Sequence, residues 1–194
     1  MTFNILAMRQ KLSTTLLITA LTLGITQSAL AAHETDRLNK MGIRDFLQDM
    51  SAKSAGQSDQ AQTQQFLNRH LHDNARFKST ITYNMPGHPP QQTEMKLDKK
   101  QFLESVAAGA QTLQEYESEI DIKAIKISKD GRKATVETIG SESGYMSVSG
   151  ESGAAEQVPI EGQSACLQIV MIDKNDIMQL YNARCQTQIN FERY

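Results

Sequence analysis

The chain has 194 residues, with 20 Lys and Arg against 22 Asp and Glu, for a net charge of −2. That balance, with no basic cluster longer than "KLDKK", lacks the electrostatic footprint of a nucleic-acid-binding protein. No Walker loop, dinucleotide fingerprint, G-x-S-x-G or H-E-x-x-H occurs, so no phosphate-cradling, serine-nucleophile or zinc-protease class is indicated.

The first residues read as a leader. Arg9 and Lys11 form a basic start, Leu16 to Ile25 an apolar run, and Ala29 and Ala31 an A-x-A site. That order is the one of a secretory signal peptide over residues 1–31, cut after Ala31 with Ala32 as the neighbouring choice. The apolar run is short for an uncleaved span of about 20 residues. The leader holds two basic residues and no acidic one, so its loss makes the mature chain two charges more negative. No other apolar segment is long enough to span a membrane. The expected location is the periplasm or the exterior, without a stable membrane span. Residues 32–42 read as an N-terminal tail, and residues 43–194 as one domain long enough for a real core.

Ile43, Phe46, Leu47 and Met50 recur at three- and four-residue intervals, which predicts a short amphipathic helix stopped near Gly56. A second helix is expected from a cap at Ser58 or Asp59. Ala61, Phe66, Leu67, His70 and Leu71 would face inward, and the end would fall at the turn-forming Asp73 and Asn74. "RFKSTITYNM" alternates Phe77, Ser79, Ile81 and Tyr83 with polar residues and predicts a strand, which "PGHPP" stops. A third helix opens at Asp98, whose pairing with Gln101 has the form of a capping box. Phe102, Val106, Ala110 and Leu113 lie at helical spacing on one face.

The pattern then changes to strands. "YESEIDIKAIKIS" alternates through Ile120 and Ile122 and shifts phase between Ala124 and Ile125, as a bulge does. Asp130-Gly131 centres a hairpin turn, and "KATVETIG" returns as the partner strand. "SESGYMSVSGESGAAEQVPIEGQ" reads mostly as a loop, with some strand around Tyr145 to Ser149. The last strands are expected at 164–173 and 177–191.

Helices gathered ahead of a run of hairpins indicate an α+β fold. N-terminal helices would pack on one face of a single, strongly curved antiparallel sheet. Cys166 and Cys185, the chain's two cysteines, bracket the last hairpin. A two-residue turn at Asn175-Asp176 would pair Lys174 with Ile177, and that register carries Cys166 opposite Cys185, where a disulfide fits. A turn centred one residue earlier would offset them.

The stretches "FLNRHLHDNARFKSTITY", "LDKKQFLESV" and "QSACLQIVMIDKNDIMQLYNARCQTQINF" resemble the nuclear transport factor 2-like superfamily, in its SnoaL-like and ketosteroid-isomerase-like branches. The likeness covers roughly residues 43–191. It implies a cone with a pocket between the sheet and the helices. It also implies a homodimer through the sheet. The superfamily includes ligand binders, protein-docking modules and enzymes, so fold alone does not choose among them.

The leading expectation is a binding protein. It would hold a small apolar or amphipathic ligand in the pocket, or dock a protein partner from the envelope on the sheet. The alternatives are a small isomerase, cyclase or hydratase using a pocket carboxylate, and an envelope or secretion assembly factor. The isomerase branch implies a tyrosine and two carboxyl groups, but no motif places them here. Tyr83 and Tyr181 are candidate pocket residues because each lies on an alternating strand. Glu137 is a candidate carboxylate that also fits a solvent-facing position. Gln168, Gln179, Asn182 and Arg184 interrupt apolar strands and either line the pocket or alternate toward water. His70 and His72 diverge by about 200° on a helix and do not make a metal pair. His33 and His88 fall in tail and loop. No metal, no cofactor and no nucleic-acid partner is expected.

Overall fold

The computed structural model describes residues 33–55, 59–149 and 155–191. The expected leader with its cut after Ala31, the stop at Gly56 and the cap option at Ser58 lie outside them. The fold occupies the compact unit Ala32–Tyr194. Its elements are α1 (Lys40–Ser54), α2 (Gln60–His70), β1 (Leu71–Asn84), β2 (Gln91–Asp98), α3 (Lys99–Thr112), β3 (Leu113–Ile127), β4 (Lys133–Ser149), β5 (Ala155–Ile172) and β6 (Met178–Phe191). One six-stranded sheet runs in the order β2-β1-β6-β5-β4-β3. Neighbours are antiparallel except β1 and β6, which pair in parallel. The architecture is the expected α+β one, with a mixed rather than purely antiparallel sheet.

The helices form where their caps and apolar stripes agree. The Asn39 side chain caps α1 by accepting from Gly42 N at 2.8 Å. Ile43, Phe46, Leu47 and Met50 are all buried. Asp59 caps α2, whose buried face is Thr63, Phe66, Leu67 and His70; Ala61 is exposed instead. This helix ends three residues earlier than Asp73, because Leu71 is already extended and pairs with Leu180 of β6. The capping box at α3 is complete in both directions between Asp98 and Gln101. Leu113 opens β3 rather than closing α3.

Two stretches of sheet exceed the sequence pattern. β2 is polar and mostly exposed and pairs only with β1, so its backbone ladder and not apolar alternation holds it. The Gly- and Ser-rich stretch after Ile139 extends the β4–β5 hairpin as far as the pair Ser149 and Ala155. Small residues are needed there for close approach. Gly144 has φ 157° opposite a bulge at Glu115 and Tyr116, where an added Cβ would meet Gln114 O and Tyr116 Cα at 3.0 Å.

The expected bulge in β3 falls at Lys123, one step before the predicted phase shift. It keeps Ile120, Ile122, Ile125 and Ile127 on the helix-facing side. Segment 33–39, within the expected N-terminal tail, packs against the domain. His33 and Leu38 are buried, Glu34 bridges Ile177, and Leu38 N donates to Gly131 O at 2.8 Å.

Candidate functional site: a pocket between helices and sheet

Alternation along the strands divides the sheet into two faces. Phe77, Ile122, Val136, Val170 and Ala183 point to the helices and join Ile43, Phe46, Leu47 and Leu67 in the core. Beside that core a cavity of about 280 Å³ stays open between α1, α3 and the sheet. Leu47, Met50, Phe77, Leu97, Phe102, Ile120, Leu180 and Ala183 supply its apolar lining, and Ser51, Ser54, Ser79, Ser105 and Thr187 its hydroxyls. Phe77 and Phe102 stack at 4.3 Å and form one wall. No Asp, Glu, His or Tyr is among its described lining residues. Lys78 borders it through the strand, but its Nζ pairs with Glu94 at 2.6 Å on the opposite face.

A smaller recess of about 150 Å³ adjoins it and shares Ser51, Ile120 and Gln168. Gln168 is buried, and its Nε2 donates to Thr138 Oγ1 at 3.0 Å, so the amide is fixed in orientation. At this recess the Tyr116 hydroxyl donates to the Glu142 carboxylate. Burial first, and the Glu142 charge second, push the phenol well above its ordinary value. It therefore remains a proton donor across the physiological range. Cys166 and Cys185 form a disulfide beside both cavities, with Cα atoms 4.2 Å apart.

The four candidate pocket residues do not converge. Gln168 lines the pocket. Tyr83 sits near the end of β1, its ring 6.3 Å from that of Phe191. Tyr181 lies at a bulge in β6, edge-on to His72 at 5.1 Å. Arg184 is exposed on the sheet face turned away from the helices, as is Glu137, where both border a broad open cleft. Of the other strand polars, Asn182 shares that outer face, while Gln179 donates to Arg69 O at 3.0 Å. The Tyr116–Glu142 pair went unnoticed in the sequence. Tyr116 shares its parity with Ile120 and Ile122, which is a usable signal, but Glu142 lay in the supposed loop.

Two of the histidines, His33 and His70, serve the core. His70 is fully buried, with Nδ1 2.8 Å from Met178 O and Nε2 without a hydrogen-bond partner among the described residues. His33 Nε2 lies 2.9 Å from Asp49 Oδ2, and its ring is 5.5 Å from that of His70. Burial lowers the His70 pKa, opposed by the Met178 carbonyl, with smaller effects of His33, Arg69 and Asp49. No group of three His, Cys, Asp or Glu suited to a metal occurs among the described residues.

No family model and no curated protein sequence matches the chain. Solved structures do. A conserved protein from Planctomyces limnophilus superposes with a TM-score of 0.50 at 16% identity, over 76% of this chain and 94% of that one. A type 2 hexachlorocyclohexane dehydrochlorinase superposes with a TM-score of 0.50 at 9% identity, over 79% of this chain and 91% of that one. The chain has the nuclear transport factor 2-like fold. At these identities the likeness extends to the fold alone. The 280 Å³ cavity lies between the sheet and the helices, where the resemblance led a pocket to be expected.

Proposed function

We propose that this chain is an exported protein that holds a small apolar or amphipathic ligand in the nuclear transport factor 2-like pocket. The carrying observation is the lining: stacked aromatics, aliphatics and five hydroxyls, with no carboxylate or imidazole among the described residues. Such a surface desolvates apolar atoms at little cost, and hydroxyls orient a single polar end. Export rests on the leader pattern. It is supported by the disulfide.

The test uses the mature protein and the neutral probe N-phenyl-1-naphthylamine. Probe fluorescence should rise saturably with one site per chain. Ser79→Phe, which fills the pocket from β1, should weaken binding at least tenfold with the melting temperature little changed. Binding that Ser79→Phe leaves intact would sink the reading.

A second reading rests on the Tyr116–Glu142 pair beside the pocket. A carboxylate next to a protonated phenol has the parts of a general base with an oxyanion donor. Solvent-deuterium exchange at the α-carbon of an apolar cyclic ketone tests it. Catalysed exchange abolished by Glu142→Gln supports an enzyme of the isomerase type; exchange no faster than buffer removes it.

A further inference from the structure

Gln168 carries a polar atom that the fold leaves unused. The residue sits on β5 and faces the helices, and its cross-strand neighbours Val136 and Ala183 belong to the core. It is only 8% exposed. Its Nε2 donates to Thr138 Oγ1 at 3.0 Å, and its Oε1 has no hydrogen bond with a described residue. Oε1 is not sealed by protein either, and Gln168 borders the 280 Å³ cavity and the 150 Å³ recess where the two adjoin. The carbonyl is therefore an acceptor open to that space and held in place by the buried Thr138. Ser51 borders the same junction, its Oγ 3.2 Å from Ser118 Oγ. With Ser118 as the donor of that bond, the Ser51 hydrogen is left for a ligand oxygen.

We propose that Gln168 determines the specificity of the pocket, and that the ligand is a neutral apolar alcohol whose hydroxyl donates to Gln168 Oε1. The inference rests on the reading of this cavity as a ligand pocket and names the ligand's chemical class. The apolar body lies against Leu97 and the stacked Phe77 and Phe102, and the hydroxyl reaches the junction with the recess. A hydroxyl suits both groups there, because it donates to Gln168 and accepts from Ser51. A ketone or an ether only accepts. It would displace water from the Gln168 carbonyl, set lone pair against lone pair and leave a buried acceptor unpaired. A carboxylate would meet the same carbonyl without a cation beside it, because Lys78 Nζ pairs with Glu94 on the opposite face. A cavity of about 280 Å³ lies at the lower limit of ligand pockets, roughly 300–1,000 Å³, so the apolar body is small.

Displacement of N-phenyl-1-naphthylamine by competitors that share one apolar body tests it: cyclooctanol, methoxycyclooctane, cyclooctanone and cyclooctanecarboxylate. Cyclooctanol should displace the probe at a concentration at least about tenfold lower than any of the others, since a site built to bond a hydroxyl rejects analogues without one. Gln168→Met keeps the length of the side chain and removes the carbonyl. It should weaken cyclooctanol at least about tenfold and leave methoxycyclooctane within about twofold, which erases the preference. A merely structural role would weaken all competitors alike. Should Gln168→Met fail to fold, Thr138→Val keeps the carbonyl but frees its orientation, and should narrow the preference at least about threefold. A probe that does not bind removes the pocket reading, and this inference with it. A probe that binds, with cyclooctanol no better than the ether or with the ketone preferred, overturns this inference and leaves the pocket reading standing. A preference for the alcohol that survives Gln168→Met overturns the role of Gln168.

Discussion

Cys166 and Cys185 stand opposite each other across β5 and β6 because an extra residue at Tyr181 corrects the register of the hairpin. The turn is not the expected two-residue one. Asp173 pairs with Ile177 across the three-residue loop Lys174 to Asp176, with Asp173 N donating to Ile177 O at 2.9 Å. The Asp173 carboxylate holds this loop by accepting from Asn175 N and Ile177 N at 2.8 and 2.9 Å. Asp176 adopts the left-handed φ of 61° that such loops use. Left unbroken, that register would offset the cysteines by one residue. The Tyr181 bulge, between the pairs Ile169–Asn182 and Val170–Leu180, removes the offset.

Thiol titration of the denatured, unreduced protein should therefore find no free thiol. The pair Cys166→Ala and Cys185→Ala should lower unfolding stability by about 3 kcal/mol on the chain-entropy account for a loop of this length. Urea unfolding of the two forms measures the difference. A loss near zero would mean that the ladder alone holds the hairpin.

His70 makes stability depend on pH. Its folded pKa is lowered, chiefly by burial, while the unfolded chain titrates near the ordinary value of about 6.5. The unfolded state thus takes up the proton first as the solution is acidified. Stability is full above about pH 6.5 and falls as the pH drops toward the folded value. Unfolding free energies between pH 7.5 and 5 should show this decline, and His70→Gln should flatten it. An unchanged slope in the variant would assign the decline to other groups.

Tyr116→Phe should destabilise the chain by about 1–2 kcal/mol. The Glu142 carboxylate loses its phenolic donor while the recess around it stays partly closed to water. Paired replacement by Tyr116→Phe with Glu142→Gln should cost less than the sum of the two single changes. Chemical unfolding of the four forms measures the coupling, and strict additivity would show that the pair is not an energetic unit.

Gly131→Ala should cost about 1–3 kcal/mol in thermal or chemical unfolding. The residue has a left-handed φ of 73°, and an added Cβ would lie 2.4 Å from Arg37 Cγ. Arg37→Ala in the same chain relieves the contact but not the backbone strain, so it should recover part of the loss. Full recovery would assign the whole cost to the contact.

Much of the fold was legible because local chemistry and tertiary packing agree there. The stripe Ile43, Phe46, Leu47 and Met50, the Asp98–Gln101 box and the alternation of Phe77 to Tyr83 each carry their own signal. β2 and the outer half of the β4–β5 hairpin carry none, since their residues are polar or small and their hydrogen bonds go to other strands. His33 shows the same limit. Nothing near it in sequence announces a core position, and its burial comes from Phe46, Phe66 and His70 across the fold.

The sequence by itself determined the α+β class and the three helices. These follow from spacing along the chain, its period and its caps, whereas the Cys166–Cys185 pair depends on the Tyr181 bulge as well. Only the tertiary structure decided the site. It turned Arg184 outward and Gln168 inward, because alternation says that neighbours differ in face but not which face is covered. It also brought Tyr116 to Glu142 and set Arg184, Leu167 and Glu137 in one row, since cross-strand neighbours are chosen by register, and bulges at Lys123 and Tyr181 set that register.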